Sequence, residues 1–370
     1  VIDFFGKVAS QYYRLKDNTD KSLEVIRGKG LGVFLKKVGQ YIRECTKPEL
    51  KIVPGGHFEA LLKKSYDADD FKRVNDPVKR MWIDYALSTV KRGERVRQLI
   101  LHYSEIKGKR YLDIGCAYGG FPLAFARAGA NVVGIDISPG LLEFSKLLSE
   151  DYGVEISVFQ KSILNKDDVY SLGNFEIITA NDIIEHVDCP NTAMINMVSI
   201  LSPGGLLFMV IPNKFSASFI KSDGHFKLFG ITVLPKWLAD RYHNYFYPSH
   251  YHDVRYRSLN YYINTLKGLG VSCKVINSLS KNKDKSLKII HNVFCEIRKQ
   301  TETFDIDIPL DLERKIMIRV LRIADLFDRE YGLYHKLKKI DYKKAVALAD
   351  RLILNFGEDI WQILVRKGAE

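Results

Sequence analysis

Residues 110–120 read RYLDIGCAYGG and residues 131–138 read NVVGIDIS, and the two together decide the fold. In the first, an apolar run ends at Asp113 and Gly115, where the chain must leave a strand and enter a helix. Glycines there allow a tight turn and a close backbone approach to a ligand. The second run ends in an acid, Asp136, placed to accept hydrogen bonds from the two hydroxyls of an adenosine ribose.

The alternation continues outward: FPLAFARAG, GLLEFSKLLSE, VEISVFQ and FEIITAND follow in order. After them come a helical stretch over 191–201, a Ser202-Pro203-Gly204-Gly205 turn, LLFMVIPN as a fifth buried strand, and DIWQILVRK near the end as a returning strand. Short apolar runs separated by amphipathic ones predict an α/β fold, a mostly parallel sheet with helices on both faces. A dinucleotide enzyme shares this order, but its fingerprint is GxGxxG. Here Gly115-Cys116-Ala117-Tyr118-Gly119-Gly120 follows Asp113, whose charge would repel a pyrophosphate and attract a cationic amine.

Composition bounds the rest. The 370 residues are 46% hydrophobic, enough for a large core, and 56 Lys+Arg against 44 Asp+Glu leave a charge of +12, which favours anionic partners. Five scattered cysteines without a CxxC pair indicate neither a disulfide framework nor a zinc knuckle and fit a reducing cytoplasm. The most apolar uncharged run, 195–212, is broken by its Ser-Pro-Gly-Gly turn, so no transmembrane segment is expected. The opening at Val1 carries no signal-peptide pattern and fits a piece of a longer protein.

Three regions are expected: a basic helical extension over 1–56, a core over 57–300 carrying an aromatic, His-rich insertion at 215–257, and a helical segment with the returning strand over 301–370. Within the first, 21–45 spaces apolar and basic residues in a helical pattern, the basis for an expected peripheral contact with an anionic membrane. The Lys281–Lys288 run reads as a solvated loop. Residues 310–355 read as two amphipathic helices, with Leu310, Leu312, Ile316 and Val320 opening the first apolar face.

YLDIGCAYGG, VVGIDIS, FEIITANDIIEHV and LSPGGLLFMVIPN resemble, in order, the motifs of class I S-adenosylmethionine-dependent methyltransferases. The pattern is similar to that of ubiquinone-biosynthesis-type O-methyltransferases and related bacterial polysaccharide methyltransferases, over about residues 95–213. The resemblance implies a seven-stranded Rossmann-like sheet and S-adenosyl-L-methionine as cofactor. It implies that Asp113, Gly115, Cys116, Ala117, Gly119 and Asn181 line the methionine end, and that Arg95, in competition with Arg97, meets the methionine carboxylate. Asp136 would hold the ribose, Ile137 would flank the adenine, and Ser162 with Ile163 would close the adenine pocket.

Methyl transfer to a hydroxyl profits from a general base. His186 in the Asn181–His186 segment and His225 in the insertion are the candidates, with Asp182 orienting ligand. The insertion also offers Asp223, His243, His250, His252 and Asp253, and its Tyr and Phe residues suit stacking on a ring. The HYHD run at 250–253 lacks a placed third ligand, so no metal centre is expected. Because the insertion resembles those of polysaccharide-modifying methyltransferases, the expected acceptor is a saccharide or glycan precursor. The resemblance of residues 25–42 to tails of polysaccharide-assembly glycosyltransferases suggests a glycosyltransferase as partner or fused module. An RNA methyltransferase and a noncatalytic scaffold remain as alternatives, although no RNA-binding motif is recognisable.

Overall fold

The computed structural model describes residues 51–66, 76–248, 252–304 and 306–369, and its residues 51–370 form one compact unit. The expected basic helix at 21–45 lies outside the described residues. Three helices lead in, α1 (His57–Tyr66), α2 (Asp76–Leu87) and α3 (Thr89–Leu101). Then β1 (Arg110–Ile114), α4 (Gly120–Arg127), β2 (Asn131–Asp136), α5 (Pro139–Tyr152), β3 (Ser157–Gln160), α6 (Lys166–Tyr170), β4 (Phe175–Asn181), α7 (Pro190–Ser199) and β5 (Leu201–Pro212) alternate as the sequence implies.

The sheet has seven strands in the order β3-β2-β1-β4-β5-β7-β6. The first five run parallel, and β7 (Ile360–Arg366) enters antiparallel between β5 and β6 (Ser272–Val275). This is the seven-stranded, mostly parallel Rossmann-like sheet expected from the sequence. Period-two alternation distributes its side chains: Leu112, Ile178, Leu207 and Ile363 pack on one face, Tyr111, Ile177, Phe208 and Leu364 on the other. The Ser-Pro-Gly-Gly stretch is taken into β5 rather than preceding it, through a shift of register between Phe175 and Ile177.

A second, helical half packs beside the sheet around its own core. It comprises α8 (Ala217–Lys221), α9 (Lys236–Phe246), α11 (Lys283–Glu302), α12 (Leu310–Ile340) and α13 (Tyr342–Leu352), while α10 (Leu259–Gly268) covers the sheet. Its core joins Ile220, Leu238 and Tyr242 of the insertion to Phe294 of α11 and Phe327 of α12.

Three expectations are corrected here. The Lys281–Lys288 run is the start of a 20-residue helix, α11, because Asn282 caps it through the Lys285 N–H at 3.0 Å while Leu287, Ile290, Phe294 and Ile297 supply a buried stripe. Its lysines are the solvent face. No boundary falls at 300/301, which lies inside α11. Leu310 is 58% exposed, so the buried face of α12 begins at Leu312.

Candidate functional site

The carboxyl ends of β1, β2 and β4 meet at one edge of the sheet, where open α/β sheets bind ligands. After β1 the backbone turns through left-handed conformations at Gly115 (φ 69°), Ala117 (φ 42°) and Gly119 (φ 79°). A Cβ on Gly115 would fall 2.7 Å from Ile183 Cδ1, and one on Gly119 would fall 2.2 Å from Ser145 Oγ on α5. The glycines therefore let this loop be pressed between α5 and the segment following β4. Asp136 ties the loop down: its Oδ2 accepts from the Ala117 N–H at 3.0 Å and its Oδ1 from the Ser138 N–H at 2.9 Å. Burial pushes the Cys116 thiol up, so it behaves as an inert packing group beneath the loop.

Asp113 is 2% exposed and accepts a 2.6 Å hydrogen bond from Thr179 Oγ1. Burial pushes its pKa up to about 7, opposed by the Thr179 bond and by Arg92 and reinforced by Asp136. Asp182 takes a left-handed φ of 51°, accepts from the Tyr85 hydroxyl at 3.1 Å and lies 3.7 Å from the Arg92 guanidinium, which stacks 3.5 Å above the Tyr85 ring. Both amide atoms of Asn181 and the Arg92 Nε are buried without a hydrogen-bond partner. Unsatisfied buried polar atoms are costly. Those of Asn181 and Arg92, together with Asp113, suit a zwitterionic ligand carrying an ammonium and a carboxylate.

The acceptor side is a cluster of imidazoles. His186 Nδ1 lies 2.9 Å from Asp253 Oδ2, His225 Nδ1 lies 2.9 Å from the Tyr256 hydroxyl, and the two rings meet edge to face at 5.1 Å. For His186, burial opposes protonation, but the Asp253 hydrogen bond and the charges of Glu185, Asp253 and Asp182 together raise its pKa to about 9. Burial and the neighbouring His186 charge lower His225 to about 3. Burial pushes Glu185 up to about 8, and neither of its oxygens has a hydrogen-bond partner. At neutral pH the cluster thus holds one protonated and one neutral imidazole side by side.

Glu185, His186 and His225 bring one ligand atom each within 4.8 Å of one another, a set that could hold a cation. It is not the HYHD run considered from the sequence. His250 lies outside the described residues; His252 pairs with Asp240 at 2.7 Å and Asp253 turns to His186, so these two do not converge.

Other sequence candidates find distinct places. Ile137 is 70% exposed beside the site, and Ile163 is buried. The Ser162 N–H donates to Asp168 Oδ2 at 3.0 Å, while Ser162 Oγ accepts from the Leu164 N–H. Asp223 is a structural residue, accepting from the N–H groups of His225, Phe226 and Leu228 and thereby shaping the loop that presents His225. His243 and His252 stack on each other and lie edge-on to Phe226.

Arg95 and Arg92 take different places. It is exposed on α3, whereas Arg92 reaches the site. Gly93 must face α4, since a Cβ there would fall 2.2 Å from the Gly120 carbonyl oxygen. At 100° per residue, position 95 is then turned away and 92 is brought to the edge. Arg97 is buried and bonded to Glu94 at 2.9 Å. Reasoning from sequence also missed Tyr85 and Tyr256, neither of which stands in a pattern that announces a ligand, and took Glu185 only as part of the Asn181–His186 segment.

Comparison with known proteins agrees with this geometry. The profile of a family described as a methyltransferase domain matches residues 89–264, the span that holds the strands and turns resembling those of class I S-adenosylmethionine-dependent methyltransferases. Among particular relatives, ubiquinone biosynthesis O-methyltransferases are similar to it: that of Xanthomonas euvesicatoria pv. vesicatoria is 29% identical over 164 residues, 44% of this chain and 62% of that protein. The Marinobacter nauticus protein is 32% identical over 44% of this chain and 63% of that one, and the Acinetobacter baylyi protein 28% identical over 54% and 77%. The chain spans about three-fifths of the length of the first curated relatives it matches.

Proposed function

We propose that the protein transfers a methyl group from S-adenosylmethionine to a hydroxyl oxygen, with Asp113, Asn181 and Arg92 gripping the methionine end and the His186–His225 pair serving the acceptor. The observation that carries this reading is the pair itself, two imidazoles meeting edge to face at 5.1 Å and anchored by Asp253 and Tyr256, beside the glycine-bearing loop that follows β1. Ile183, two residues from Glu185, packs directly on Gly115 and so joins the two halves of the site.

Bound S-adenosylmethionine supplies a methyl already activated on a sulfonium, so the chain's task is placement, which can be worth roughly 7 to 11 kcal/mol. His225 Nδ1 is hydrogen-bonded to the Tyr256 hydroxyl at 2.9 Å; in the tautomer that carries its proton on Nδ1, the other ring nitrogen takes the hydroxyl proton as the oxygen–methyl bond forms and the sulfur–methyl bond breaks. His186, held protonated by Asp253, stabilises the negative charge developing on that oxygen.

For the acceptor, the names of the relatives favour a phenolic hydroxyl of a ubiquinone precursor over the saccharide suggested by the aromatic insertion. A direct test titrates the protein with S-adenosylhomocysteine by calorimetry, using Asp136→Ala as the control, and then supplies a catechol and a saccharide panel with labelled donor. Micromolar binding lost in the variant, followed by label on the catechol, supports the reading; label on the saccharides alone reverses the acceptor, and no binding by the wild type sinks the proposal.

A second reading rests on Glu185. A buried carboxyl without a partner, facing two imidazoles whose Nδ1 atoms are steadied by Asp253 and Tyr256, fits a divalent cation with ordered outer ligands. The cation would lower the acceptor hydroxyl's pKa. Glu185→Gln separates the readings: with Asp253 and Asp182 still holding the His186 proton, it lowers the rate of the imidazole mechanism only in part, whereas it abolishes a cation-dependent one together with the thermal shift given by Mn²⁺ or Zn²⁺.

A further inference from the structure

The helical half ends in a corner that the catalytic reading does not use. Where α12 turns into α13, Ile340 is 81% exposed and Tyr342 is 70% exposed. Lys336, Lys339 and Lys343 surround them and are themselves exposed. The same face of α12 continues back through Leu333, Leu326 and Arg322, about 27 Å of helix.

The acids of this region, Asp341 within the corner included, are each paired with a base other than these three lysines. Asp284 holds Lys338, Asp325 and Asp328 hold Arg298, Glu330 holds Arg351 and Asp341 holds Lys344. Among the described residues, Lys336, Lys339, Lys343 and Arg322 enter none of these pairs, so the corner presents uncompensated positive charge around two apolar side chains.

We propose that this corner docks on an anionic membrane surface, Ile340 and Tyr342 entering the headgroup boundary while Lys336, Lys339 and Lys343 meet lipid phosphates. Interfacial binding needs this combination: apolar side chains buried a few ångströms into the boundary, a phenol at headgroup depth, and lysines whose stems lie along the apolar surface with their ammonium groups in the polar layer. A polyanion such as RNA would use the lysines but gains nothing from an exposed isoleucine. The inference is independent of the acceptor's identity, and no helix among the described residues is long and apolar enough to cross a membrane, so attachment at this corner would be peripheral.

The test is flotation of the full chain with vesicles of phosphatidylcholine alone and of phosphatidylcholine carrying roughly one-third phosphatidylglycerol. Wild type should float with the anionic vesicles only, and less so as salt rises. The triple variant Lys336→Glu, Lys339→Glu, Lys343→Glu should lower partitioning by about 100-fold or more, and Ile340→Ser with Tyr342→Ser by about 10-fold. All five positions are exposed, and an unchanged melting temperature verifies that each variant is folded. Failure of the wild type to float, or a triple variant that floats as well as wild type, overturns the assignment. Loss in the lysine variant with no loss in the Ile340 and Tyr342 variant also overturns it, in favour of a purely electrostatic polyanion site.

Discussion

On the cofactor side of the site, the groups come largely from the carboxyl ends of β1, β2 and β4 and the turns that follow, so Asp113, Gly115, Asp136 and Asn181 are each fixed by the strand end at which, or next to which, they lie. On the acceptor side, His186 meets Asp253 and His225 meets Tyr256 across 67 and 31 residues, and tertiary packing brings them together. One half is built by local sequence and the other by the insertion folding back, so the two should fail separately when mutated.

The largest effect expected is on rate. His225→Gln or His186→Asn should lower kcat by about 10² to 10⁴-fold, the usual range for a lost proton-transfer group, while calorimetric affinity for S-adenosylhomocysteine stays within twofold. A comparable fall in affinity would show that the two sides are one unit and break the comparison. Next in size is Gly119→Ala, where a left-handed φ and the approach of Ser145 act together; about 1 to 3 kcal/mol of stability should be lost in urea unfolding. Ser145→Gly should restore only part of it, because the Ser145 Cα itself would stand 2.9 Å from the new methyl.

Arg92→Ala should weaken S-adenosylhomocysteine binding about 10-fold through loss of a charge-assisted hydrogen bond, and Arg95→Ala should leave it unchanged. Equal losses would return the carboxylate role to Arg95 and show that α3 rotates when ligand binds.

This last pair also marks how far the sequence is legible. The strands, their order of appearance and the acid at the end of β2 follow from apolar periodicity and turn residues, which act over a few positions. Arg92 was hidden because its direction depends on Gly93 packing against the Gly120 carbonyl, a contact made only once α3 meets α4. The start of α11 was hidden for a related reason: its lysines dominate the local reading, and Leu287 gains significance only when the helical core exists to bury it. His186 and His225 were visible as residue types, but their opposite pKa shifts were not, since these arise from Asp253 on one side and from desolvation beside the His186 charge on the other.

The smallest effect is also the most specific to that asymmetry. Asp253 contributes through its hydrogen bond and its charge to holding His186 at a pKa of about 9, above the ordinary histidine value of 6.5. A raised folded-state pKa means that the proton favours the folded protein. The stabilisation is complete below 6.5 and is lost as pH rises toward 9. Glu185 and Asp113, pushed up to about 8 and 7 by burial, add a loss of the same sign as pH rises from the ordinary carboxyl range. Asp253→Asn should therefore flatten the decline in melting temperature between pH 6.5 and 9 without erasing it, and should move the His186 imidazole resonance titration downward. If the mechanism needs His186 charged, the high-pH limb of kcat must move down with it. A limb that stays in place while the NMR titration shifts would leave His225 as the base and remove His186 from the chemistry.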